Sequence, residues 1–409
     1  MIQRMFKDIK DQFPIFKNKT NGKDLVYLDS ANSSQKPQSV IDAVSNFYSN
    51  EFANVGRGIY SLAVNASEKY ELTRTNLKSF VGASDDYEIV FTKNATESLN
   101  LVATCFAEKF IKDGDEIILT ELEHHANYVP WHFLRKRKNV VIKFLPIDEQ
   151  GDLKVEELEK LITPKTKIIS VTHMSNVTGS ITPLEEIVAI AKKHNIPVSV
   201  DGTQGAAHLD LDIKKIDCDF YSFSGHKMYG PTGVGLLAIK YKWLNDFDPF
   251  IGGGGMIDYV SKKDIAYARG VWKMEAGTMP TAEVVALNES INFINKLEKK
   301  NIIKHELDLT QLALEKLKTN NSVKVLTSPK NQGGVFSFNI DKIHSHDVST
   351  ILDQEGIAVR GGHHCCQILH DVLNVNSSVR VSFGVYNDEK DIDALCEGIK
   401  KCQKIFEKK

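Results

Sequence analysis

Residues 197–208 read PVSVDGTQGAAH, and residues 221–235 read YSFSGHKMYGPTGVG. Each opens as a buried strand and ends abruptly on polar groups: Asp201, Gly202 and Gln204 in the first, Ser224, His226 and Lys227 in the second. A carboxylate at the buried end of a strand is costly unless a cation awaits it. A lysine leaving such a strand into a glycine-rich loop is poorly placed for solvation. It is well placed for an amine that must be held, lowered in pKa and made nucleophilic.

The segments around these two stretches repeat the same grammar. Short apolar runs, EIILT, VVIKFLPI, KIISVTH, DFYSFS and GVGLLAIK, read as strands, with helical patterns such as KVEELEKLI and PLEEIVAIAKKHN between some of them. Upstream, EKYELTRTNLKSFVG has helical spacing and stops at Gly82, which suits a left-handed cap. ATESLNLVATCFAEKF is a second helix, with Thr96 at its start and Leu99, Val102, Phe106 and Phe110 on one face. Such alternation predicts an α/β fold whose mainly parallel sheet is covered by helices. After about Ile294 the texture changes to a long polar helix, the strand VFSFNID, a helix, IAVR, the strand SVRVSF and a closing helix. That pattern predicts a smaller C-terminal α+β domain. The expected boundaries are an N-terminal segment 1–25 packing near the small domain, a large domain 26–294 and a small domain 295–409.

Composition narrows the function classes. The 409 residues are 42% hydrophobic and 25% charged, with a formal charge of −2, which offers no electrostatic footprint for nucleic acid or an anionic membrane. The basic run Arg135–Lys138 follows VPWHFL and reads as the solvated side of a helix. No stretch has the length of a signal peptide core or a membrane span. Six cysteines in so long a chain, none in a Cys-x-x-Cys pair, predict reduced thiols and a cytoplasmic location.

Ligands of open α/β sheets bind beyond the carboxyl ends of the strands. Two further stretches place polar groups there. Asn94, Ala95 and Thr96 open a helix, where free N–H groups favour a phosphate, and ELEHHANY carries His124 and His125 beyond the strand ending at Thr120. A lysine, a carboxylate, a phosphate nest and a flat ring on four different strand ends together suggest pyridoxal phosphate. That cofactor needs an amine to bond and an acid facing its pyridinium nitrogen.

Ser224-Gly225-His226-Lys227, Asp201-Gly202-Thr203-Gln204, EHHAN and RGGHHC resemble the class V aminotransferase family, fold type I of the pyridoxal phosphate enzymes. Within it they are most similar to the SufS-type (group II) cysteine desulfurases, also called selenocysteine lyases. The likeness extends from FPIF and LVYLDSANSSQKP through NVGRGIYSLA, HMSNVTG and EAGT to VRVSFGVYN. It implies a seven-stranded type of sheet in the large domain. It also implies that Lys227 carries the cofactor, Asp201 pairs with its ring nitrogen, Gln204 bonds its hydroxyl and His124 stacks on the ring and assists proton transfer. By the same likeness, Ala95, Thr96, Ser224 and His226 hold the phosphate, with Thr278 reaching in from the second subunit of a homodimer. Arg380, with Asn176, Arg360 and Ala31, would receive the substrate carboxylate, for which a guanidinium fork is geometrically suited.

VRGGHHCCQIL, Val359–Leu369, then finds a role. The resemblance makes Cys365 the nucleophile that takes sulfur from L-cysteine as a persulfide, with L-selenocysteine an alternative substrate and a SufE- or SufU-like acceptor downstream in iron–sulfur cluster assembly. Gly361 and Gly362 suit an exposed, mobile loop. His363 and His364 are candidates to lower the thiolate pKa or orient that loop. Cys366 is a bystander or accessory thiol. Four contiguous ligands suit a tetrahedral metal poorly, so no metal is expected. Another class V lyase or aminotransferase, or a metal-binding module built on HHCC, would be the competing readings. The chain departs from the family's usual text at Asn32, Gly56, Tyr60, Gly255, Met279, Pro280 and Gly361.

Overall fold

The computed structural model describes residue 6 and residues 8–407. Seven strands form the central sheet: β1 (Tyr87–Thr92), β2 (Glu116–Thr120), β3 (Val141–Leu145), β4 (Thr166–Thr172), β5 (Val198–Asp201), β6 (Phe220–Ser224) and β7 (Gly235–Lys240). Their spatial order is β1-β7-β6-β5-β4-β2-β3. β2 to β6 pair in parallel, while β7 runs antiparallel between β1 and β6. The mainly parallel sheet is therefore as expected. The edge strand β1 is an addition: YEIVFT alternates too weakly to stand out, and it is β7 that pairs it along its full length.

Successive side chains of a strand point to opposite faces, and the core divides accordingly. Ile169, Val198, Tyr221 and Leu236 pack with Tyr70, Leu77, Ile187, Leu287 and Ile291 from the helices Ser61–Phe80, Leu184–Lys193 and Thr281–Leu297. Ile168, Phe220 and Leu237 pack on the other face with Val102, Phe106, Trp131 and Leu134 from Ala95–Phe110 and His125–Lys138. Helices thus cover both faces, and every residue of β5 and β6 is buried. The basic run lies at the end of His125–Lys138, where Arg135, Lys136 and Arg137 are exposed.

The C-terminal part forms a four-stranded antiparallel sheet of β8 (Val323–Val325), β9 (Val335–Ile340), β10 (Arg360–Gly362) and β11 (Ser378–Ser382), ordered β8-β9-β11-β10. The helices Ser345–Gln354 and Glu389–Glu407 close its core through Val348, Leu352, Ile392, Leu395 and Ile399. The N-terminal stretch joins this unit. Val26–Tyr27 pairs in parallel with Ile357–Ala358, Lys10 bridges Asp391 at 2.9 Å, and Phe13 packs on Tyr386.

One expectation needs correction. Gly361 and Gly362 do not form a mobile loop; they belong to β10, paired with Val379 and Ser378. Close approach explains the glycine at 361, because a Cβ there would lie 2.5 Å from Ser349 Oγ and 2.8 Å from the Ser345 carbonyl. The helix after β1 spans Ala95–Phe110, the segment read from the sequence, and Asn94 is its cap, accepting from the Glu97 N–H at 2.9 Å.

Candidate active site

Because β1, β2, β4, β5 and β6 all end on one side of the sheet, their loops converge on a cavity of about 250 Å³. It is lined by Ala95, Thr96, His124, Asn176, Asp201, Gln204, Ser224, His226 and Lys227, nine residues singled out from the sequence, together with Asn32 and Asn94. Charge in this cavity is set by burial. Asp201 is 3% exposed, and desolvation raises its pKa while Thr203 and Lys227 counteract. Burial, followed by the Arg380 charge, lowers Lys227 to about 8, so its amine is partly free base near neutrality. Burial and the same lysine bring His124 down to about 3. His124 Nδ1 accepts from the Ala126 N–H at 3.0 Å, which leaves the single ring proton of the neutral imidazole on Nε2.

At the phosphate end, Ala95 N–H donates to Ser224 Oγ at 2.8 Å beside the start of the sixteen-residue helix. His226 is lowered to about 4, chiefly by burial, and its ring lies 3.2 Å from Ser33 Oγ. Gln204 Nε2 donates to the Ala31 carbonyl at 2.8 Å, whereas its buried Oε1 has no partner. Gly202 is required beneath Asp201, since a Cβ would fall 2.0 Å from the Tyr221 ring. An aldehyde-bearing, aromatic, anionic group fits this donor set: an amine of lowered pKa, a buried acid, an unpartnered amide oxygen and a helix start.

Arg380, on β11, approaches from the small sheet. It is 2% exposed, donates to Asp29 Oδ1 at 2.7 Å and to the Asn176 carbonyl at 3.1 Å, and its Nε has no partner. Arg360 donates to Asn32 Oδ1. Cys365 follows β10 and is half-buried. His364 and Cys365 both hold left-handed backbone, φ +53° and +56°, which costs energy for non-glycine residues and clusters at functional sites. Two bonds tie that turn to the large domain, His125 N–H to the Cys365 carbonyl at 2.7 Å and Asn176 Nδ2 to the His364 carbonyl at 2.8 Å, and Cys366 N–H closes it on the His363 carbonyl at 2.9 Å. Asn176 thus commits one amide N–H to the cysteine turn while it lines the cavity.

His364 does not supply charge to the thiol. Burial and Arg380 hold it neutral, lowered to about 2, and its Nε2 lies 3.0 Å from Ser378 Oγ. Cys366 is a packed bystander. Its Sγ faces the Leu122 and Glu123 carbonyls at 3.4 and 3.2 Å, and burial pushes its pKa well up. Thr278 lies outside the cavity, exposed beside Arg57, Gly254 and Gly255.

Sequence reading missed three groups. Glu123, one residue before His124 and raised to about 7 by burial, accepts from Thr120, Asn127 and the Thr172 N–H. Lys36, lowered to about 7 by burial, donates to the His226 carbonyl at 2.8 Å. Asp29 is the third. A second carboxylate directly before a histidine pair, beyond a buried strand, was the available signal for Glu123; nothing local marks the other two.

Comparisons with known proteins agree with this geometry. Residues 26–395 match the family described as Aminotransferase class-V. A probable cysteine desulfurase of Halalkalibacterium halodurans is 42% identical over 399 residues, covering 98% of each chain. The crystal structure of the Escherichia coli cysteine desulfurase CsdA, in an S-sulfonic acid form, superposes with a TM-score of 0.90 at 34% identity over 98% of each chain. A cysteine desulfurase from Thermococcus onnurineus, in an apo structure, gives 0.91 at 34% identity over 97% of each.

Proposed function

The chain belongs to the class-V aminotransferase family, and from that premise we propose that it is a cysteine desulfurase using pyridoxal 5'-phosphate. The reaction converts L-cysteine and the Cys365 thiol into L-alanine and a Cys365 persulfide. The observation that carries this reading is the convergence of Lys227, Asp201 and His124 on one cavity, with Cys365 fastened to the residue following His124.

The residues divide the work. Lys227, Asp201, Gln204 and the Ala95–Ser224 end of the cavity would hold the cofactor, with His124 against its ring. When bound, pyridoxal phosphate supplies an electron sink that acidifies the substrate Cα–H. Lys227 Nζ, partly unprotonated near neutral pH, is the base for that proton and returns one to carbon later. Asp201, kept from solvent, would keep a proton on the ring nitrogen. His124, neutral with its proton on Nε2, would assist proton transfer there. Arg380 orients the carboxylate. The Cys365 thiolate attacks the substrate sulfur; the S–S bond forms as the substrate C–S bond breaks, and the electron pair ends as the new C–H bond of alanine.

The product persulfide is reactive, so we read the sulfur as passing to a SufE- or SufU-like acceptor for iron–sulfur cluster assembly, in the cytoplasm. Among the described residues no helix is long and apolar enough to cross a membrane. Support for a homodimer comes from the exposed apolar side chains Ile59, at 95%, Tyr60, Leu62, Tyr48 and Phe52, and from Thr278 sharing an open cavity with Asn54–Arg57. The test is product analysis. L-cysteine should give alanine, whereas a transaminase would give a keto acid. Cys365→Ala should lose sulfur transfer yet keep the bound cofactor's visible absorbance; loss of that absorbance would make the thiol structural.

A further inference from the structure

Arg380 does not stand alone. It sits in the middle of β11, opposite Arg360 on β10, so two guanidinium groups share one small region. Burial lowers the pKa of Arg380, the nearby Arg360 charge adds to this, and Asp29 works against both. Asp29 is the carboxylate that answers them, 2.7 Å from Arg380 Nη2. Its own backbone is fixed from both sides. Asp29 forms a parallel bridge to Ser382, Ala31 N–H donates to Ser382 Oγ at 2.9 Å, and Gln204 of the cavity wall donates to the Ala31 carbonyl at 2.8 Å.

A guanidinium has five N–H donors in a planar fork. Asp29 and the Asn176 carbonyl each take one from the two terminal nitrogens, and Nε is left buried and unpartnered. The plane of the fork is thereby set with its remaining donors unused. The same Asp29 charge repels an incoming carboxylate and so weakens its capture.

We propose that Asp29 is a positioning residue for Arg380, aiming its free N–H groups at the substrate carboxylate while keeping that capture reversible. This rests on the reading of Arg380 as the carboxylate's partner. Aim and charge can be separated by substitution. Asp29→Asn keeps an oxygen acceptor in place and removes the charge; Asp29→Ala removes both.

The holoenzyme is titrated with L-alanine, which has no sulfur to transfer, by calorimetry, and KM and kcat are measured for L-cysteine. Asp29→Asn should bind L-alanine about tenfold more tightly, with a lower KM and a kcat reduced by slower product loss. Asp29→Ala should raise KM about tenfold with a smaller change in kcat, because Arg380 loses its aim. A merely structural residue would move both variants the same way. If Asp29→Ala does not fold, the sign of the Asp29→Asn shift decides alone. Arg380→Lys separates this inference from its premise. If it weakens L-alanine binding while Asp29→Asn leaves Kd within twofold or weakens it, the role given to Asp29 is overturned and the carboxylate site stands. If Arg380→Lys leaves Kd unchanged, both fall.

Discussion

Gly361→Ala adds one methyl group where the small sheet meets its covering helix. The methyl would lie 2.5 Å from Ser349 Oγ and 2.8 Å from the Ser345 carbonyl, both on Ser345–Gln354. Ser349 can rotate away, but only by giving up its 2.8 Å bond to that same carbonyl; the backbone oxygen cannot rotate at all. β10 must therefore retreat by a few tenths of an ångström. Overpacking of this kind costs about 1–3 kcal/mol. Reduced freedom of the unfolded chain returns about 0.4–1 kcal/mol. A net loss of about 1–2 kcal/mol remains, which for a chain this long is a fall of about 1–2 °C in Tm. The functional consequence is larger, since β10 leads directly into the left-handed pair His364–Cys365. Misplacement of a reacting group by 1 Å can cost about a hundredfold, so a shift of a few tenths should slow alanine formation about tenfold. Thermal denaturation, alanine release and the visible spectrum are measured together, with the spectrum expected to stay unchanged. Ser349→Ala combined with Gly361→Ala should recover part of the Tm. A single variant as stable and as fast as the parent would refute the argument that contact, rather than mobility, selects glycine here. Threonine, the usual residue of the resembled family at this position, should strain the site further.

Three more outcomes are expected. Cys366→Ala should leave alanine formation within about twofold and lower Tm, because the thiol is packed away from the cavity; loss of activity with unchanged stability would contradict this. Cofactor uptake by the apoprotein, followed by visible absorbance, should rise through about pH 8 with the Lys227 amine. Arg380→Gln removes a neighbouring cation and should move that inflection upward; an unchanged or lower inflection would sink the assignment. Finally, His124, His173, His226 and His364 are held neutral at about 3, 3, 4 and 2, all chiefly by burial. Unfolding returns each to about 6.5, so below about pH 6.5 the unfolded apoprotein binds more protons. Glu123, raised to about 7, and Asp201, also raised, offset part of this. Net stability in urea should fall as pH drops from about 6.5 to 4; a flat or rising curve would show those histidines to be protonated in the fold.

The sequence by itself determined six of the sheet's seven strands and nine of the cavity's residues. Strand ends are local features: an apolar run stopping at Asp201, or at Ser224 with Lys227 behind it, announces its place in a parallel sheet without reference to any partner. Long-range pairing decided the rest. β1 became visible only against β7. Gly361 looked mobile until the helix at Ser345–Gln354 was laid across it, because a glycine chosen for closeness and one chosen for freedom are the same letter. Asp29 and Arg380, far apart in the chain, share a 2.7 Å bond that no spacing rule contains. Histidine charge also waited for the fold, since His364 beside a cysteine reads as an activator, whereas burial next to Arg380 strips it of its proton. Short-range chemistry is written in the order of residues; proximity, and the desolvation that comes with it, arises only when distant segments close on one another.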